Sequence, residues 1–176
     1  MNLPNKLTTL RMILVPVFIV AYLMGYNYVS AAIFIVASLT DFLDGHIARK
    51  RNLITNFGKI MDPLADKLLV TSAFVCMVQA GVVPAWMVIV ILAREFAITG
   101  LRSVAASEGV VIAAAWSGKV KTVTQMIAVI FLLIDNWPFR LISFPFAEIM
   151  LWIAVIMTVY SGIEYIYKSR SLFQSR

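Results

Sequence analysis

The sequence predicts an all-α integral membrane protein, with six transmembrane helices preceded by a short interfacial amphipathic helix. Three observations carry this. The chain is 61% apolar and only 14% charged, where a soluble domain carries about 25% charged residues, and its mean hydropathy is +0.90. Apolar runs recur along its whole length, at sizes near the roughly 20 residues that cross a bilayer as a helix. When six spans are threaded through the sequence, 14 of its 15 lysines and arginines fall on one side and only Arg140 on the other. Such an asymmetry marks the cytoplasmic face. The length, 176 residues, suits a single membrane domain over 1–176.

The elements follow in order. In residues 1–11, Leu3, Leu7 and Leu10 recur at helical spacing, with Asn5, Lys6, Thr8 and Thr9 on other faces; this suits a helix lying in the interface. The first span is read over 11–26. Lys6 and Arg11 before an apolar stretch, with Ser30-Ala31-Ala32 beyond it, also resemble a signal peptide. The further apolar segments and the topology favour a retained first span. The second span covers 29–50 and the third 57–80, with Pro63 either in its first turn or at a kink. The fourth covers 84–106, opened by Pro84, the fifth 118–135 and the sixth 142–168. Both termini are then cytoplasmic. Glu164 and Lys168 stand at i,i+4 in the favourable order and are read as a structural pair.

The chemistry is concentrated in 26 residues. Asp41, Asp44, Gly45, Ala48 and Arg49 are followed, after eight residues, by Gly58, Asp62 and Asp66. Ionisable groups in a membrane-like sequence are functional candidates, and oxygen-only ligand sets suit hard divalent cations on substrate phosphates. On helices turning about 100° per residue, Asp41 and Asp44 lie about 60° apart, and Asp62 and Asp66 one turn apart. Two helices can therefore present a carboxylate pair each to one cavity. Gly45 and Ala48 share the Asp41/Asp44 face and would let a ligand approach the backbone. The plainer alternative is four solvated acids on a loop. It sits poorly with the apolar runs 29–40 and 68–83 that continue directly from them.

The pattern D-x-x-D-G-x-x-A-R, eight residues, then G-x-x-x-D-x-x-x-D resembles the signature of the CDP-alcohol phosphotransferases, integral membrane enzymes of phospholipid synthesis, and every fixed position is filled. The opening NLPNKLTTLR, LAREFAITGLR at 92–102 and GKVKT at 118–122 resemble the branch that makes phosphatidylglycerophosphate. The resemblance implies transfer of the phosphatidyl group from CDP-diacylglycerol to sn-glycerol 3-phosphate, releasing CMP, at the cytoplasmic side of the cell membrane. It also implies a homodimer. Two Mg²⁺ (or Mn²⁺) ions would be held by Asp41, Asp44, Asp62 and Asp66, with Asp66 also the candidate general base. Gly45, Ala48, Arg49 and Gly58 would meet the CDP-lipid, Arg49 at its pyrophosphate. On resemblance alone, Asn5, Thr8 and Arg11 would touch the nucleotide; an interfacial anchor is the alternative for them, and a positive-inside anchor, the reading given to Lys50 and Arg51, is the alternative for Arg49.

A phosphorylated acceptor needs cations. Arg94 and Arg102 lie about 80° apart, two turns along one helix, and could flank an anion site. Lys119, after Ser117-Gly118, falls in a first helical turn, where a cation opposes the helix dipole unless an anion binds. Lys121 is about 200° further round, so both lysines reach one site only if that helix begins irregularly. Topology-fixing charge is the alternative for all four. Glu95 either pairs with a neighbouring cation or holds an arginine in place.

Other classes fit less well. Single copies of Cys76 and His46 exclude a disulfide within the chain, a thiolate metal cluster and the paired histidines of phospholipase D-type transferases. The net charge of +6 favours an anionic lipid surface over nucleic acid. A divalent-cation transporter would want acids on several spans and a charged path across, whereas 25–29 and 80–84 carry no charge. Within the family, acceptors such as inositol phosphate, serine or phosphatidylglycerol remain the alternatives.

Overall fold

The computed structural model describes residues 3–50, 56–107, 109–110 and 115–170, with side chains for all of these except 3–6, 41–50, 56–60, 62, 63 and 66. Among them the chain is all-helical: α1 Leu3–Leu23, α2 Asn27–Lys50, α3 Asn56–Gln79, α4 Ala85–Ser107, α5 Trp116–Leu133 and α6 Phe146–Lys168, with a 3₁₀ turn Phe139–Ile142 before α6. The turns are built by residues that accept a left-handed backbone. Gly25 after α1 and Gly81 after α3 have φ of 80° and 70°, and Asp135 and Asn136 end α5 at φ 53° and 58°. Short polar side chains tolerate that conformation by bonding locally.

Two compact units form, Met1–Val82 with Val129–Trp137, and Val83–Ala128 with Pro138–Arg176. In the first unit α1 packs on both α2 and α3, and α2 meets α3. Phe18 of α1 stacks near Tyr22 and meets Phe34 of α2 at 6.2 Å between ring centroids. Ala37, Ala65 and Ala73 are wholly buried, as are Leu69, Phe74 and Met77; small residues let helix backbones approach closely. The pairs Phe18–Phe34 and Arg11–Ala37 show that α1 and α2 run antiparallel.

In the second unit α4 packs on α6. Trp86 meets Trp152 at one end, and Arg102 lies over Tyr165 at the other, so these two helices run the same way. α5 runs against α6: Ser117 bonds Glu164, and the Gln125 amide donates to the Thr158 hydroxyl at 3.3 Å. Lys168 donates to Glu164 at 2.5 Å, as the i,i+4 spacing predicts.

Two expectations are corrected. Among the described residues no separate helix precedes α1, which is continuous from Leu3 with Pro16 inside it. Within α1, Leu10 is exposed while Thr8 and Arg11 are completely buried. The last helix does not begin at 142, where the sixth span was expected to start. Ser143 turns left-handed, and Pro145, lacking an N–H, precedes α6 at Phe146. Pro63 falls two turns inside α3, past its first turn. By length and composition, α6 is the one described helix apolar enough to cross a membrane; shorter apolar stretches cover Leu7–Leu23, Asn27–Thr40 and Lys67–Gln79.

Candidate functional site

Both halves of the acidic signature lie on helices. Asp41, Asp44, Gly45, Ala48 and Arg49 are in α2, and Gly58, Asp62 and Asp66 in α3. Their side chains, and that of Asn5, lie outside the described residues, as does the 51–55 connection. Among the described residues no group of three or more His, Cys, Asp or Glu gathers. The shared partner α1 packs against both signature helices. Arg11, wholly buried, donates its Nε to the Ala37 carbonyl at 3.3 Å, one turn before Asp41. The Thr40 hydroxyl donates to the same carbonyl at 2.7 Å. A guanidinium is costly to bury, so its place against the signature helix ties the start of α1 to this region. Thr8, also buried, lies about one turn earlier. Neither is an outward-facing interfacial anchor. Arg11→Ala is expected to lower the melting temperature in detergent clearly more than Leu10→Ala, whose side chain is exposed; a thermal-shift assay on the two variants checks it.

The second unit gathers positive charge. Arg94 Nη1 donates to Glu95 Oε1 at 3.2 Å, and Lys121 Nζ bonds the same oxygen. The Lys121 side chain is 4% exposed and that of Arg94 13%. The Arg94 Nε is buried with no hydrogen-bond partner among the described residues. Arg94 is closely flanked: a Cβ added at Gly118 of α5 would sit 3.6 Å from its Nη2, and one at Gly162 of α6 would sit 3.2 Å from its Cγ. Its guanidinium thus reaches the first turn of α5, the positive end of that helix dipole. Glu95 offsets one of the two cations there, and the net positive charge that remains attracts an anion.

The four predicted acceptor residues have different surroundings. Arg94 sits in the cluster just described. Arg102 is exposed, its guanidinium carbon 5.9 Å from the Tyr165 ring centroid. Because α5 is regular from Trp116, Lys119 and Lys121 fall on different faces: Lys119 is exposed and Lys121 buried against Glu95. Both alternatives for Glu95 hold at once, since it bonds a lysine and an arginine. Sequence reasoning missed Gly162, whose closeness to Arg94 depends on packing between α4 and α6, and it undervalued Arg11.

A helical chain with a complete D-x-x-D-G-x-x-A-R…G-x-x-x-D-x-x-x-D signature on consecutive helices defines a class, and the family model for CDP-alcohol phosphatidyltransferase matches residues 1–160. The chain belongs to that family. It is 51% identical to the CDP-diacylglycerol–glycerol-3-phosphate 3-phosphatidyltransferase of Bacillus subtilis (strain 168), over 96% of this chain and 95% of that one. Proteins of the same name from Rickettsia felis and Haemophilus influenzae are 39% and 38% identical, over 98% and 94% of this chain and 97% and 91% of theirs.

Proposed function

We propose that this chain transfers the phosphatidyl group of CDP-diacylglycerol to sn-glycerol 3-phosphate, giving phosphatidylglycerophosphate and CMP. The activity is the one named for relatives that align along nearly its full length. The choice of a phosphorylated acceptor is supported by one structural observation, the convergence of Arg94 and Lys121 on the first turns of α5 with a buried guanidinium N–H still available.

The acceptor's primary hydroxyl attacks the lipid-side phosphorus. A bond forms from its oxygen to phosphorus, the bond from phosphorus to the CMP oxygen breaks, and the hydroxyl proton passes to a carboxylate, for which Asp66 is the candidate. The donor chemistry of Asp41, Asp44, Asp62 and Asp66 fits two Mg²⁺ or Mn²⁺ ions, which when bound would neutralise the phosphoryl oxygens and stabilise the leaving group. Gly45, Ala48 and Gly58 would leave room for the CDP-lipid, and Arg49 would bind its pyrophosphate. Asn5 and Thr8 stand beside them on resemblance alone, as does assembly into a homodimer. Supplying purified protein with CDP-diacylglycerol and glycerol 3-phosphate, inositol phosphate, serine or phosphatidylglycerol in turn, and weighing the product, tests the assignment. Product from serine but not from glycerol 3-phosphate would reject it.

The same reading makes the protein a six-span resident of the cell membrane, with both termini and the site at the cytoplasmic face. Supporting this are the antiparallel pairs α1/α2 and α5/α6, the parallel pair α4/α6, and the exposed aromatics Tyr26, Tyr28 and Trp86 at the uncharged ends. Such residues favour the membrane–water boundary. Cysteine placed at residue 53, with Cys76 replaced by alanine, is expected to react with an impermeant thiol reagent only after the membrane is opened. Labelling from outside intact cells would invert the topology.

A further inference from the structure

We propose that Glu95 is a positioning residue for the acceptor's phosphate: it fixes Arg94 in a seat made by Gly118 and Gly162, and is itself held by Lys121. This rests on Arg94 being an acceptor-phosphate ligand, as proposed above.

The seat is visible in the glycines. Of those described, Gly25, Gly81 and Gly109 serve turns with positive φ, and a Cβ on Gly100 would meet nothing. Gly118 of α5 and Gly162 of α6 would both meet Arg94, at its Nη2 and at its Cγ. A Cβ contact of 3.2 Å at Gly162 requires the arginine to shift. At Gly162 a hydrogen atom stands where a methyl group would crowd Arg94, while a methyl group at Gly118 would lie in ordinary van der Waals contact with it.

Glu95 completes the arrangement. Its Oε1 takes both Arg94 Nη1 and Lys121 Nζ. Lys121 is almost wholly buried, and a buried ammonium needs a counter-charge. That demand holds the carboxylate toward α5, and the carboxylate in turn holds the guanidinium. The three groups sum to one positive charge, so an anion is still attracted. The Arg94 Nε–H, buried and without a partner among the described residues, is a donor left over for it.

The sign of one substitution separates positioning from simple charge. Removing a carboxylate beside an anion site makes the site more positive, which by Coulomb's law alone tightens phosphate binding. If Glu95 positions Arg94, its loss weakens binding instead. The experiment is two-substrate kinetics on purified wild type, Arg94→Ala, Glu95→Gln, Glu95→Asp and Gly162→Ala. Glu95→Gln and Gly162→Ala are expected to raise the KM for glycerol 3-phosphate about ten-fold, the scale of one charge-assisted hydrogen bond, with the KM for CDP-diacylglycerol unchanged. Glu95→Asp keeps the charge but withdraws it by one methylene, and is expected to behave like Glu95→Gln. A lowered or unchanged acceptor KM in Glu95→Gln, or wild-type behaviour in Glu95→Asp, overturns the proposal provided Arg94→Ala raises that KM. If Arg94→Ala leaves it unchanged, the acceptor site itself is wrong. Gly162→Ala removes no charged group, so it carries the test if the Glu95 variants fail to fold; an unchanged acceptor KM there equally rejects the seat.

Discussion

Asp41→Asn, Asp44→Asn, Asp62→Asn and Asp66→Asn are each expected to reduce phosphatidyl transfer by at least about a hundred-fold, since even outer partners of metal ligands cost ten- to a hundred-fold when lost. The substitution is nearly isosteric, so packing along α2 and α3 is preserved while one negative charge is removed. Four carboxylates on two neighbouring helices repel one another unless cations compensate. The variants should therefore melt in detergent no lower than wild type measured without divalent ions. Chelation of the wild-type protein should abolish turnover, and Mg²⁺ or Mn²⁺ should restore it. Radiolabelled glycerol 3-phosphate incorporation into lipid measures both. Full turnover in excess chelator would remove the metal-assisted mechanism, and one aspartate variant with normal activity would remove that residue from it.

How much of this was legible in the chain depends on the range of the interactions. The signature helices were readable because their carboxylates repeat at helical spacing within apolar runs; α2 and α3 begin and end within a few residues of the expected spans. The uncharged turns at Gly25 and Gly81 were readable for the same local reason. The face of α1 was not. Leucines at 3, 7 and 10 give the helix an apolar face, but their spacing does not say what the other side meets, and there Thr8 and Arg11 are buried in the protein. The break before α6 was written in Pro145 and was passed over because the apolar run continues through it. The place of Arg94 was beyond any local pattern. It is set by two glycines 44 residues apart in sequence and by a carboxylate whose second partner lies on α5. The two alternatives for Glu95 were correctly posed but could not be chosen between, since a single carboxylate satisfies both.

Arg102→Ala and Lys119→Ala are expected to raise the KM for glycerol 3-phosphate, and Arg49→Ala to raise that for CDP-diacylglycerol, each by roughly ten- to a hundred-fold if the lost contact is charge-assisted and shielded from water. The separation follows from position. Arg49 belongs to the signature on α2, whereas Arg102 and Lys119 stand on α4 and α5, apart from it in sequence. Their effects should be unequal. Lys119 is exposed and can swing, so its loss should fall at the lower end. Arg102 lies over the Tyr165 ring, which restricts its guanidinium before any ligand arrives, so less entropy is lost on binding. Arg102→Lys should therefore recover only part of the loss, because an ammonium keeps the charge but not the planar fork. Tyr165→Leu should weaken the acceptor in the same direction with Arg102 intact. A kinetic matrix varying both substrates for each variant separates the two sites. If Arg102→Ala weakened the CDP-lipid and left the acceptor alone, the phosphate pocket would have to be rebuilt around Arg94 and Lys121 without it, and the glycerol 3-phosphate assignment would stand on the relatives and not on this part of the structure.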